Sequence, residues 1–209
     1  MKPIFITGTG TGVGKTLIAA IVTEALHADY WKPVQAGYQD GTDSITVREL
    51  LSNSASVVHP ELYRLATPAS PHIAAALENK KIEIKKIIKN IPATKRQIII
   101  EGAGGLLVPL NNKYLVIDLI KELKARVIIV SKNELGSINH SLLTAAVLKK
   151  EKINAAGWIF TDEYLNYEKQ ISKWSGYPLV ACVKHLHSIT KESIKAEADK
   201  MLSRLQNFL

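Results

Sequence analysis

Short apolar runs alternate with longer stretches in which apolar residues recur every three or four positions. The runs at 3–7, 29–34, 97–101, 126–131, 156–160 and 179–183 read as strands. Amphipathic stretches at 15–27, 43–52, 71–78, 83–91, 115–124, 137–151, 165–175 and 190–207 predict helices between them. Strands apolar on both faces, separated by helices, imply a mostly parallel sheet covered on both sides. No repeat, low-complexity tract or linker divides the chain. Residues 59–72, broken by Pro60, Pro68 and Pro71, read as a long loop. The expectation is a single-domain, doubly wound α/β fold over residues 1–209. In such sheets ligands bind at the carboxyl ends of the strands, so polar residues there become the candidates.

Composition narrows the class. At 209 residues, 46% hydrophobic and 22% charged, the chain can bury a full core without disulfides or structural metal. Its single cysteine, Cys182, sits in the apolar run PLVACV and reads as a small core residue of a protein kept in a reducing compartment. The start MKPIFITG has too few apolar residues for a signal-peptide core, and no segment approaches the roughly 20 apolar residues of a membrane span. A cytoplasmic location follows as the expectation, without membrane contact. The net charge of +8 comes from dispersed lysines, so a solvated basic surface suited to small anions is expected rather than a nucleic-acid site.

The first strand runs into FITGTGTGVGKT, residues 5–16. Glycines at 8, 10, 12 and 14 allow backbone N–H groups to turn toward one point, and a helix starting near Lys15 adds its own free N–H groups. Lys15 would reach the outer phosphates of a triphosphate and Thr16 would ligate Mg²⁺, yet the loop is one residue longer than the standard phosphate-binding pattern. The third strand ends IIIEGAGG, which places acidic Glu101 where a nucleotide hydrolase puts a metal-site residue. Gly102, Gly104 and Gly105 would let a ligand approach the backbone. Asp43 lies in a turn before a helix, either as a metal ligand or as a cap, and Asp40 competes with it. Lys32, just ahead of Pro33, is costly inside an apolar strand unless the strand stops there over a site. After the fourth strand, Gly136 and Ser137 read as a helix start and cap, with Ile138, Leu142, Ala146 and Val147 as the buried stripe. His140 reads as a hydrogen-bonded structural histidine. No histidine spacing suggests a metal site, and no Ser/His/Asp arrangement is present.

GTGTGVGKT fits, residue for residue, the longer loop G-T-x-T-x-V-G-K-T of the dethiobiotin synthetase family. The blocks KPVQAG (32–37), SPHIAA (70–75), EGAGGLLVPL (101–110), GSINHSLLTA (136–145) and AGWI (156–159) keep that family's order and spacing up to Ile159. The chain therefore resembles a P-loop enzyme that closes the ureido ring of dethiobiotin from 7,8-diaminononanoate (7,8-diaminopelargonate), CO₂ and ATP with Mg²⁺. The resemblance implies that Gly8, Thr9, Gly10, Thr11, Gly12, Val13, Gly14, Lys15 and Thr16 wrap the triphosphate. Thr11, Lys15 and Lys32 would hold the carbamate and the transferring phosphoryl group, and Thr16, Asp43 and Glu101 would hold Mg²⁺. Substrate would lie across a homodimer interface, with its carboxylate at the partner's helix start, positions 136 to 139 (Gly136, Ser137, Ile138, Asn139), assisted by Tyr164 or Tyr167.

The chain departs from the family pattern at four places. Gly12 stands where many members carry glutamate, and Ala36, beside the substrate, stands where serine is frequent. Thr161 replaces the adenine-reading asparagine, and VKHLHS replaces a proline-containing segment that lines the nucleoside. The triphosphate site is retained while base selectivity is put in question. One rival is a partitioning-type ATPase switch, but its signature lysine is absent at Gly10 and Thr11. A nucleotide-binding module without catalysis, or another ring-forming ligase, fits less well with Lys15, Thr16, Lys32 and Glu101 all present.

Overall fold

A computed structural model describes residues 1–39 and 41–208. Nine strands are formed: β1 (Ile4–Gly8), β2 (Asp29–Trp31), β3 (Val34–Ala36), β4 (Val58–His59), β5 (Tyr63–Leu65), β6 (Ile98–Gly105), β7 (Arg126–Lys132), β8 (Ala155–Thr161) and β9 (Leu179–Val183). Helices α1 (Lys15–Leu26), α2 (Asp43–Leu50), α3 (Pro71–Leu77), α4 (Ile84–Lys89), α5 (Val116–Leu123), α6 (Ser137–Lys150), α7 (Glu168–Ser175) and α8 (Lys191–Phe208) fall where the amphipathic stretches predict them. Seven strands form a sheet in the order β4-β2-β6-β1-β7-β8-β9, every neighbouring pair parallel. The apolar runs sit in this sheet because both of its faces are covered.

Two cores result. On one face α1, α2 and α8 pack on Ile4, Ile6, Ile99, Ile128 and Val130, contributing Ile18, Val47 and Met201 among others. The other face packs Phe5, Ile98, Ile100, Val127 and Ile129 against α4, α5, α6 and α7. Alternate residues of one strand thus serve opposite layers, as period 2 requires.

The structure corrects the chain map in four places. The expected strand 29–34 stops at Trp31, and β3 then pairs with β5 in a second, two-stranded parallel sheet. The expected loop 59–72 therefore contains β5 and the end of β4. Cys182 is exposed on the edge strand β9, not in the core. Along α6 the buried residues are Ser137, Ser141, Ala145 and Leu148, beside the expected stripe, and Ala146 is exposed.

Candidate active site

The chain reverses its direction of winding at β1, whose neighbours are β6 on one side and β7 on the other. A phosphate-binding loop placed there opens over the carboxyl ends of the strands. The loop turns through Gly12 and Gly14, both at positive φ, and hands over to α1 at Lys15. Close packing explains another of its glycines. A Cβ on Gly8 would lie 2.6 Å from the Val13 side chain and 3.0 Å from the Gly10 carbonyl oxygen. The Thr9 N–H donates to the Val130 carbonyl at 2.9 Å, tying the loop to β7.

Lys15 is 7% exposed and its ammonium donates to the Gly10 carbonyl at 2.7 Å. Burial pushes its pKa down to about 8, the Glu101 carboxylate pulling it back up and Lys32 lowering it further. An arriving polyphosphate would offset that burial cost.

Lys32 follows Trp31 at the point where the main-sheet strand ends. Register places it well: Tyr30 lies beside Ile99 and Trp31 beside Ile100, so the next residue stands beside Glu101. The Lys32 ammonium donates to Glu101 Oε1 at 2.8 Å and pairs with the Asp43 carboxylate. Burial alone would lower its pKa, but Glu101 and Asp43 together raise it above the ordinary lysine value. The lysine therefore stays charged in a site where it is 5% exposed. Thr16 Oγ1 donates to the same Glu101 Oε1 at 3.0 Å, and the Tyr30 hydroxyl donates to Oε2 at 2.8 Å.

Asp43 is the first residue of α2 rather than its cap. Thr42 caps the helix, accepting from the Ile45 N–H at 3.3 Å, so the Asp43 carboxylate is free to face Lys32. Asp40, its rival, lies outside the described residues. Thr16, Asp43 and Glu101 present only oxygen donors: Asp43 and Glu101 both meet the Lys32 ammonium, and Thr16 meets Glu101. That set fits Mg²⁺, which keeps several waters and takes phosphate oxygens as further ligands. No group of three or more His, Cys, Asp and Glu comes together among the described residues, so no all-protein metal cage competes with it.

A cleft of about 710 Å³ brings Thr11, Lys15, Thr16, Lys32, Ala36, Asp43, Glu101 and Gly104 together. Gln35 also lines it and was not foreseen: its amide oxygen accepts from the Asp43 N–H at 3.3 Å while its amide nitrogen donates to the Gly37 carbonyl. Pro68 to Pro71 close the far wall, for which the block SPHIAA was the signal.

Other expected residues have different roles. Gly102 packs beneath the Phe5 ring and Gly105 against the Gly8 carbonyl, so protein rather than ligand makes the close approach at both. The Thr161 hydroxyl donates to the Val13 carbonyl at 3.0 Å and braces the phosphate loop. Ser137 does not cap α6; its hydroxyl meets the Tyr167 hydroxyl at 2.7 Å, and Tyr167 in turn donates to the Glu134 carbonyl. His140 is exposed and has no side-chain hydrogen bond among the described residues.

Comparison with known proteins decides the family. A family model described as an AAA domain matches residues 2–193. The chain is 48% identical over 203 residues to the ATP-dependent dethiobiotin synthetase BioD of Cytophaga hutchinsonii, covering 96% of this chain and 97% of that protein. It is 45% identical over 205 residues to the enzyme of the same name from Christiangramia forsetii, covering 98% of each. The chain belongs to the dethiobiotin synthetase family. The likeness runs through the last fifty residues, beyond the motif blocks that stop at Ile159. Solved structures that share the fold include a plasmid partition protein from Borrelia burgdorferi, at TM-score 0.61, 15% identity and full coverage of both chains. The Pyrococcus furiosus cell division ATPase MinD matches at TM-score 0.60 and 14% identity, again over all of both chains. At these identities the likeness is one of fold: this chain shares its scaffold with both proteins. No helix among the described residues is long and apolar enough to cross a membrane.

Proposed function

We propose that the protein is an ATP- and Mg²⁺-dependent C–N cyclo-ligase that closes the ureido ring of dethiobiotin on 7,8-diaminononanoate. One observation carries the reading: Lys15, Lys32, Thr16, Asp43 and Glu101 converge in a single cleft beside the phosphate loop. One amine of the substrate adds to CO₂, losing a proton, and becomes a carbamate. A carbamate oxygen attacks the γ-phosphorus of ATP as its bond to the ADP oxygen breaks, forming a carbamic–phosphoric anhydride. The second amine attacks the carbonyl carbon, phosphate leaves, and the ring closes.

The protein contributes no covalent bond, only position and charge. The loop from Gly8 to Thr16 holds the triphosphate. Thr11, Lys15 and Lys32 line the place where carbamate and γ-phosphate meet, and their donors match the negative charge that builds there. Mg²⁺, held by Thr16, Asp43 and Glu101, supplies charge neutralisation of the phosphates. Ala36 and Gln35 shape the wall beside the diamine.

The start of α6 stands outside its own cleft, which supports a homodimer in which Gly136 to Asn139 receive the carboxylate of substrate bound in the partner's cleft. The free N–H groups of a helix start suit that anion. Tyr164, 38% exposed, and Tyr167, whose hydroxyl meets Ser137 at that helix start, are the two tyrosines that could assist.

The direct test incubates the protein with diaminononanoate, bicarbonate, Mg²⁺ and ATP, with GTP and CTP in parallel. Dethiobiotin by mass, matched by phosphate release only when diamine is present, is the expected result. Diamine-independent hydrolysis would instead support the ATPase switch that the shared scaffold also accommodates.

A further inference from the structure

Glu101 receives three side-chain donors, and one of them has no duty in the reaction above. Thr16 and Lys32 both line the cleft and have tasks toward nucleotide and substrate. The third is the Tyr30 hydroxyl, 2.8 Å from Oε2, on a side chain that is 0% exposed and packed among the residues between the sheet and α1. Its reach follows from register. Tyr30 pairs with Ile99, so it lies on the same face as Glu101, which is two residues further along the adjoining strand.

We propose that Tyr30 is a positioning residue for the metal-side carboxylate: its hydroxyl ties down Glu101 Oε2, leaving Oε1 turned toward Thr16 and Lys32. The proposal rests on reading Glu101 as a metal residue. A carboxylate only 1% exposed needs hydrogen bonds in place of the water it has lost. Two of its donors, Thr16 and Lys32, are needed elsewhere once nucleotide and carbamate arrive. The phenol is fixed in the core and its hydroxyl bonds to no other group among the described residues, so it is the donor that remains. A carboxylate held at one oxygen cannot rotate away from the cleft, and an outer hydrogen-bond partner of this kind changes metal affinity by roughly 10- to 100-fold.

The test uses Mn²⁺ as the probe, titrated into the full-length protein with a non-hydrolysable ATP analogue and followed by the electron paramagnetic resonance of free Mn²⁺. Wild type, Tyr30→Phe, Glu101→Gln and the double variant are compared, with near-ultraviolet circular dichroism checking the fold. Tyr30→Phe is expected to weaken Mn²⁺ binding roughly tenfold. It should also raise the KM for Mg²⁺ while leaving the KM for diamine in place. The double variant should bind no more weakly than Glu101→Gln alone, because the phenol acts through that carboxylate. Weak binding in Glu101→Gln with unchanged binding in Tyr30→Phe would overturn the role of Tyr30 and leave the metal site standing. Additive losses in the double variant would overturn it as well. Unchanged binding in both single variants would overturn the reading of Glu101 itself.

Discussion

Lys32 shows how a residue's chemistry can be read from its cost. A lysine at the end of an apolar run is either a surface edge residue or stands over a site, and this one stands between Asp43 and Glu101. With the cation removed, the two acids remain free to hold metal, while the transferring group loses a preorganised donor. Lys32→Ala is therefore expected to keep nucleotide affinity close to wild type, measured by calorimetry, and to cut kcat for ring closure by roughly 10²- to 10³-fold. Equal losses in both would remove Lys32 from the carbamate. Gln35, Tyr30 and the brace from Thr161 were not legible at this scale. Each acts through a hydrogen bond across the fold, from Thr161 to Val13 for instance, and spacing along the chain carries no record of such bonds.

At the scale of elements, periodicity located all eight helices to within a few residues, because each has one face to bury. It failed for β3, β4 and β5, which are two or three residues long and leave no room for alternation. It also placed the α6 stripe off-centre: Ile138 and Val147 pack at the margin of the core, whose centre on this helix is Ser137, Ser141, Ala145 and Leu148. The junction after α2 illustrates what such short segments rely on. Glu24 of α1 accepts from the Ser52 hydroxyl and N–H and from the Asn53 amide and N–H, closing the chain onto the helix. Burial would raise its pKa, but those bonds prevail and hold it below the ordinary 4.5. The folded state then binds fewer protons than the unfolded one, so this stabilisation is complete above about 4.5 and is lost as the pH falls through the depressed value. Ser52→Ala should cost about 1 kcal/mol at pH 7 and less at a pH below 4.5, the more so the lower it is taken. Urea midpoints at the two pH values provide the check.

At the scale of the whole molecule, the uncovered side of α6 matters. Leu143 (58% exposed) and Leu107 (56%) line one groove, an apolar surface that a second copy of the chain would cover. Leu143→Asp is expected to give a folded monomer, seen by sedimentation, with the KM for diamine raised roughly tenfold or more. A monomer with unchanged KM would place the whole carboxylate site within one subunit. The doubly wound architecture was legible because the sheet is parallel and its runs are apolar throughout; the position of each strand in it was not. That order bears on how the chain is made. β1 lies inside the sheet, yet its neighbours are far along the chain: Ile4 sits beside Ile99 on one side and Arg126 on the other. At a ribosomal pace of about 5–20 residues per second, the apolar strand waits at least roughly 5–20 s for its first partner. The strand that carries the phosphate loop must therefore stay free of aggregation until β6 emerges.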